Sequence, residues 1–129
     1  MRPILLGVLL LFLLASCGGN ASSNDTAAPP ATKSAPDLSA NPDYQKGLDL
    51  VAKNDCLTCH KVDEKLIGPP YRDVANKYAG QSDTVVAYLA HKILKGGTGV
   101  WGQVPMAAHP NLSEDDATAL AKYVLLLKK

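Results

Sequence analysis

Two thiols and an imidazole stand together in Cys56-Leu57-Thr58-Cys59-His60. C-x-x-C-H is the spacing at which both cysteines can add across the vinyl groups of one porphyrin while the next histidine reaches its iron. The pattern therefore points to one covalent c-type haem held through Cys56 and Cys59, with His60 as a metal ligand. Other chemistries of paired thiols fit less well. A dithiol redox pair belongs where a strand meets a helix in a βαβ pattern, and no such alternation is present. A closed zinc site needs a fourth ligand, and the remaining histidines, His91 and His109, stand far apart and unpaired.

A haem attached in this way needs a second ligand to close its iron. Of the two methionines, Met1 belongs to the leading segment, which leaves Met106, directly after Pro105 in a Gly- and Pro-rich stretch. A soft neutral sulfur favours ferrous iron and raises the potential relative to two imidazoles. Met106 is the expected second axial ligand, with His109 its main rival and His91, inside a predicted helix, a weaker one. Ligation by His60 and Met106 keeps iron six-coordinate in both oxidation states, which suits electron transfer rather than catalysis. The competing class is a haem enzyme or gas sensor in which Met106 dissociates.

The elements that must position these groups read as helices, giving an all-α domain of about four. Pro42 and Asp43 open the first, with an apolar stripe at Tyr44, Leu48 and Val51. Tyr71 to Tyr78 is a short second helix stopped by Gly80. Ser82 or Asp83 caps a third, whose Val85, Val86, Leu89, Ile93 and Leu94 form a broad apolar face ended by Gly96-Gly97. Ser113-Glu114-Asp115-Asp116 resembles a capping box opening a last helix to about Leu127, lined inside by Ala117, Leu120, Ala121 and Val124. Between the last two, Lys95 to Leu112 shows no periodicity and is expected to be a loop carrying Met106.

The chain begins with Met1-Arg2 and an apolar run from Ile4 to Leu14, about eleven residues and too short to span a bilayer as a helix. This is the pattern of a cleaved signal peptide over 1–16. Leu14-Ala15-Ser16-Cys17 resembles a bacterial lipobox, so Cys17 is the expected lipidation site. Residues 17–41 form a lipidated flexible linker poor in large apolar side chains, with a coil span of about 25–30 Å. A membrane anchor on the periplasmic side of the cell envelope is the expected location.

Residues 42–129 are one domain at most. The only Phe, Phe12, lies in the leading run, so Trp101 and five tyrosines are the domain's aromatic stock. A core so small needs a staple, and a covalent porphyrin supplies one. Thirteen Lys and Arg against 12 Asp and Glu exclude a strongly basic nucleic-acid binder. Lys61, Lys65, Lys92 and Lys95 are candidates to ring an exposed haem edge and steer an acidic redox partner.

Cys56 to His60, Ile67-Gly68-Pro69-Pro70-Tyr71, Gly99-Val100-Trp101-Gly102 and Pro105-Met106, in this order, resemble the short-chain bacterial class I c-type cytochromes. The likeness covers essentially all of 42–129, including Ala121-Lys122-Tyr123-Val124. It implies a small cytochrome c fold of about four helices wrapped around one covalent haem, and a monomeric electron carrier in a bacterial respiratory chain. A membrane cytochrome would be its donor and a terminal reductase or oxidase its acceptor. It also implies that the Pro69 carbonyl accepts the Nδ1 proton of His60, that Trp101 hydrogen-bonds a haem propionate, and that the first and last helices cross near Gly47 and Tyr123. Two departures stand out: Ala107-Ala108-His109 replaces a proline-rich turn after Met106, and Gly47 lies one residue further from Cys56 than in many members.

Overall fold

The computed structural model describes residues 37–82 and 84–129. The expected signal peptide, Cys17 and most of the expected linker lie outside them, as does Asp83. The elements are α1 (Pro42–Lys53), a 3-10 turn (Cys56–Thr58), α2 (Tyr71–Lys77), α3 (Thr84–Lys95), a two-stranded ribbon β1 (Gly97–Gly99) and β2 (Gly102–Met106), and α4 (Glu114–Leu126).

Local chemistry sets the helix ends. The Asn41 side chain accepts the Tyr44 amide at 3.1 Å and Pro42 occupies the first turn of α1, where a missing N–H costs nothing. Ser113 accepts the Asp116 amide at 3.1 Å, and three acidic residues fill the first turn of α4. α3 stops where Gly96 takes φ +67° and returns its amide to the Lys92 carbonyl at 2.8 Å.

α4 is the central element, packing against α1, α2 and α3. Its crossing with α1 depends on Gly47: a Cβ there would collide with Cβ of Tyr123 and press on the Ala119 carbonyl. The two helices therefore meet backbone to ring, at the crossing the family resemblance implied. Close approach at Gly47 also rotates α1. Gly47 and Val51 are its buried positions, and Leu48, expected on the inner stripe, is exposed.

Two further expectations are corrected. The stretch after α3 is not irregular throughout: β1 and β2 pair antiparallel with Gly97 opposite Met106 and Gly99 opposite Gly102 around a Val100-Trp101 turn. Both strands are exposed apart from the half-buried Met106, and three of their four paired positions are glycine, so no inside–outside alternation marks them in the sequence. The packed region also begins before Pro42. Leu38, a lone large apolar side chain in its stretch, packs against the core, and the Asp37 carboxylate accepts the Ser39 amide at 2.9 Å.

The core itself is thin. It consists mainly of Ala75, Ala90, Ala117, Ala121, Val51, Val74, Val85, Leu89, Leu120, Val124 and Leu127, with Tyr71 and Tyr123 as its two aromatic side chains. Among the described residues no helix is long and apolar enough to cross a membrane.

Candidate haem-binding site

Beside this core lies a cavity of about 730 Å³, within the range of roughly 300–1,000 Å³ that accommodates organic cofactors. Cys56, Cys59, His60, Pro69, Trp101 and Met106 all line it, so the structure gathers every site residue expected within the domain.

The first three arrive by one turn of chain. Asp55 takes a left-handed conformation (φ +54°), after which the amides of Cys59 and His60 both return to the Cys56 carbonyl at 3.2 and 3.0 Å. Positions i, i+3 and i+4 of such a turn share a face. That is the physical content of the C-x-x-C-H spacing. Neither cysteine is in a disulfide, and burial pushes the Cys56 thiol, before any attachment, above its usual pKa. A dithiol oxidoreductase needs the opposite, a thiolate stabilised by its surroundings.

His60 is held on three sides. Its Nδ1 lies 2.8 Å from the Pro69 carbonyl, which can only accept, so Nδ1 carries a proton, and in the neutral ring the lone pair is on Nε2. The Tyr71 ring stacks on the imidazole with centroids 5.2 Å apart and planes within 18°. Gly68 closes the third side, where a Cβ would come within 2.7 Å of Nδ1. The intervening loop is tied by the Gly68 amide to the Cys59 carbonyl at 2.8 Å and by the Tyr71 amide to the Lys61 carbonyl at 2.9 Å. Tyr71 belongs to a row of rings: Tyr123 meets it edge-on at 6.2 Å, and Tyr44 leans on Tyr123 at 5.3 Å. Burial drives the Tyr71 hydroxyl far above its ordinary pKa, so it stays protonated. No local sequence signal marks this role of Tyr71 or Tyr123, because the partners are distant in the chain.

Met106 ends β2 and is partly buried. Its carbonyl lies against Gly96, where any side chain would intrude. The Lys92 ammonium donates to the carbonyls of Gly96 at 3.2 Å and Thr98 at 2.7 Å, tying the ribbon to α3 while leaving a positive charge beside the cavity. Lys61 pairs with Glu64 at 3.6 Å. Lys65 and Lys95 remain exposed as expected. Trp101 sits at the ribbon's turn with the Lys77 ammonium 5.6 Å from its ring centre, a cation–π contact absent from the sequence reading. His91 is exposed on α3 and does not line the cavity, whereas His109 does.

The cavity fits a haem on its own chemistry. Leu66, Ile67, Val100, Trp101 and Val104 line it with 39% to 66% of their surface exposed, an apolar rim that calls for a covering group. The donors are two thiols, an imidazole with its lone pair free and a thioether, beside a core short of apolar bulk. Among the described residues no three His, Cys, Asp or Glu side chains converge on a point, so no closed zinc cluster is available.

Comparison with known proteins agrees. The family described as cytochrome c matches residues 44–128. Cytochrome c-552 of Nitrosomonas europaea is 49% identical over 84 residues, covering 65% of this chain and 81% of that one. Cytochrome c-552 of Hydrogenobacter thermophilus is 48% identical over 79 residues, covering 61% and 79%. The crystal structure of Nitrosomonas europaea cytochrome c552 superposes with a TM-score of 0.59 at 49% identity, covering 63% of this chain and 99% of that chain.

Proposed function

This chain belongs to the cytochrome c family, an electron carrier with one haem joined through Cys56 and Cys59, and from that premise we propose that His60 and Met106 ligate its iron. Bound there, the haem supplies a one-electron iron couple. The chain's own work is to hold and tune it. Donation from His60 Nδ1 to the Pro69 carbonyl fixes the tautomer and makes Nε2 a stronger donor. A Met106 thioether as the second ligand would favour the reduced state. With both residues as ligands no position would be left for a substrate, and the chemistry the haem would supply is electron exchange alone. Trp101 is the candidate donor to a haem propionate.

The observation that carries the reading is the convergence of Cys56, Cys59, His60 and Met106 on one cavity. The proposed setting is the periplasmic side of a bacterial envelope. There residues 1–16 are removed, Cys17 is lipidated, residues 17–41 act as tether, and the monomeric domain 42–129 passes electrons from a membrane cytochrome to a reductase or oxidase. Mass spectrometry and a spectral redox titration of protein matured in a host able to attach haem test the site. One added haem, a single one-electron transition and a near-infrared sulfur-to-iron band lost in Met106→Ala are expected. Absence of the added mass, or survival of the band in Met106→Ala, overturns it. Cys17→Ser should release the protein from membranes; a wild type that is already soluble overturns the anchor.

A further inference from the structure

Tyr78 caps the C-terminal end of α2, and Tyr88 stands within α3. Their rings meet with centroids 5.9 Å apart and planes tilted by 53°, within the contact range of aromatic pairs. Both rings line the haem cavity, and both also line a shallow outer groove with Gln81, Thr84 and Val85. The pair thus reaches from the cavity to the surface, where Tyr88 is the one exposed tyrosine among the described residues. Burial, and then the neighbouring Tyr88 hydroxyl, hold the Tyr78 hydroxyl above its ordinary pKa, so it keeps its proton at neutral pH. A phenol gives up an electron readily only together with its proton, and an exposed hydroxyl can hand that proton away. The other oxidisable rings are poorer entry points. Tyr44, Tyr71 and Tyr123 are half-buried or buried, and the Lys77 ammonium 5.6 Å from the Trp101 ring centre opposes the positive charge that an oxidised indole carries.

We infer that Tyr88 and Tyr78 form a second electron port, through which the reduced carrier quenches small radical oxidants at its surface. The inference rests on the reading of the chain as a one-electron haem carrier. A radical oxidant takes an electron and a proton from the Tyr88 hydroxyl and leaves with both. Tyr78 fills the vacancy, an electron from ferrous haem restores the phenol, and solvent returns the proton. In balance, one radical, one ferrous haem and one proton give the reduced oxidant and ferric haem. With the haem already ferric, no electron arrives. Two radicals then take one hydrogen atom from each tyrosine, and the two phenoxyls couple by a carbon–carbon bond between the rings of Tyr78 and Tyr88.

The test compares holoproteins of confirmed haem mass: the wild type, Tyr88→Phe, Tyr78→Phe and Tyr44→Phe. Phenylalanine keeps the ring and removes the hydroxyl, and circular dichroism with the haem spectrum confirms that each is folded. The probe is carbonate radical made by pulse radiolysis, which leaves as bicarbonate. In the ferrous wild type a transient phenoxyl absorbance is expected to decay as ferric haem appears. That step should slow at least several-fold in Tyr88→Phe and Tyr78→Phe and keep its rate in Tyr44→Phe, while oxidation by ferricyanide is the same in all four. In the ferric wild type, peptide mapping by mass spectrometry is expected to find Tyr78 joined to Tyr88, a product absent from the ferrous protein. Haem oxidation by the radical at the wild-type rate in Tyr88→Phe, an equal slowing in Tyr44→Phe, or a ferric product without that bond overturns the inference. A haem that ferricyanide cannot oxidise in the wild type instead overturns the carrier reading.

Discussion

At the scale of the residue, the imidazole of His60 is placed by what surrounds it more than by its own backbone. Gly68 shows this. Its missing side chain is the space the ring occupies, so Gly68→Ala must push either the ring or the loop. Overpacking of this kind costs about 1–3 kcal/mol. Gly68→Ala holoprotein is expected to melt several degrees lower and to show a shifted Soret spectrum; an unchanged spectrum and melt would show that the loop absorbs the methyl freely. The site was legible in sequence where chemistry demands a residue type at short range. Cys56, Cys59 and His60 declare themselves by spacing, and Met106 by being the one thioether outside the leading segment. The ties of Lys92 did not, because nothing local marks a lysine that bonds two carbonyls of a ribbon. Tyr71 was visible as a motif letter but not as the ring that stacks on His60.

At the scale of the element, the helices were legible because their caps and periodicity are local, and their faces were less so. Leu48 obeys the helical period yet points outward, since the crossing is decided by Gly47 meeting Tyr123, a contact between chain ends. Two ion pairs, Lys46 with Asp116 at 3.5 Å and Lys122 with Asp43 at 3.6 Å, bridge α1 and α4 but are exposed and worth little each. The glycine carries the crossing. Gly47→Ala is expected to cost about 1–3 kcal/mol, a fall in Tm of very roughly 5–20 °C for a domain this size, whereas Lys46→Ala should shift it by less than about 5 °C. Thermal melts of the two holoproteins decide it. The ribbon escaped prediction for a related reason. Gly97, Gly99 and Gly102 offer no side chains whose alternation could be read, and the strands bury neither face.

At the scale of the whole molecule, stability depends on a group the chain does not encode. Alanine and valine dominate the buried core, and an apolar rim surrounds the cavity, so burial is completed only by the haem. Protein made without haem attachment is expected to be largely unfolded by circular dichroism, and a cooperative melt with native helicity would contradict this. The C-terminal end of the fold is also fastened electrostatically to the segment around α2. Arg72 bonds the Asp63 carboxylate and the Leu127 carbonyl, and Lys129 lies 3.5 Å from Asp63. The hydrogen bond from Arg72 holds the Asp63 carboxyl below its ordinary pKa. A depressed folded pKa gives stability that is complete above the unfolded value of about 3.9 and is lost as pH falls through the folded one. Asp63→Asn should therefore flatten the decline of Tm below about pH 4.5 while lowering Tm at neutral pH. An acid limb identical to the wild type would remove Asp63 from the account.

The Tyr71 ring lies between the Tyr123 side chain, and with it the seam of the terminal helices, and the His60 imidazole that would ligate the haem iron. Loosening at the extremities thus has a short mechanical route to the chromophore. The colour of the protein becomes a gauge of whether its ends are closed, and disturbances far from the porphyrin in sequence can be watched in visible light before the chain lets go.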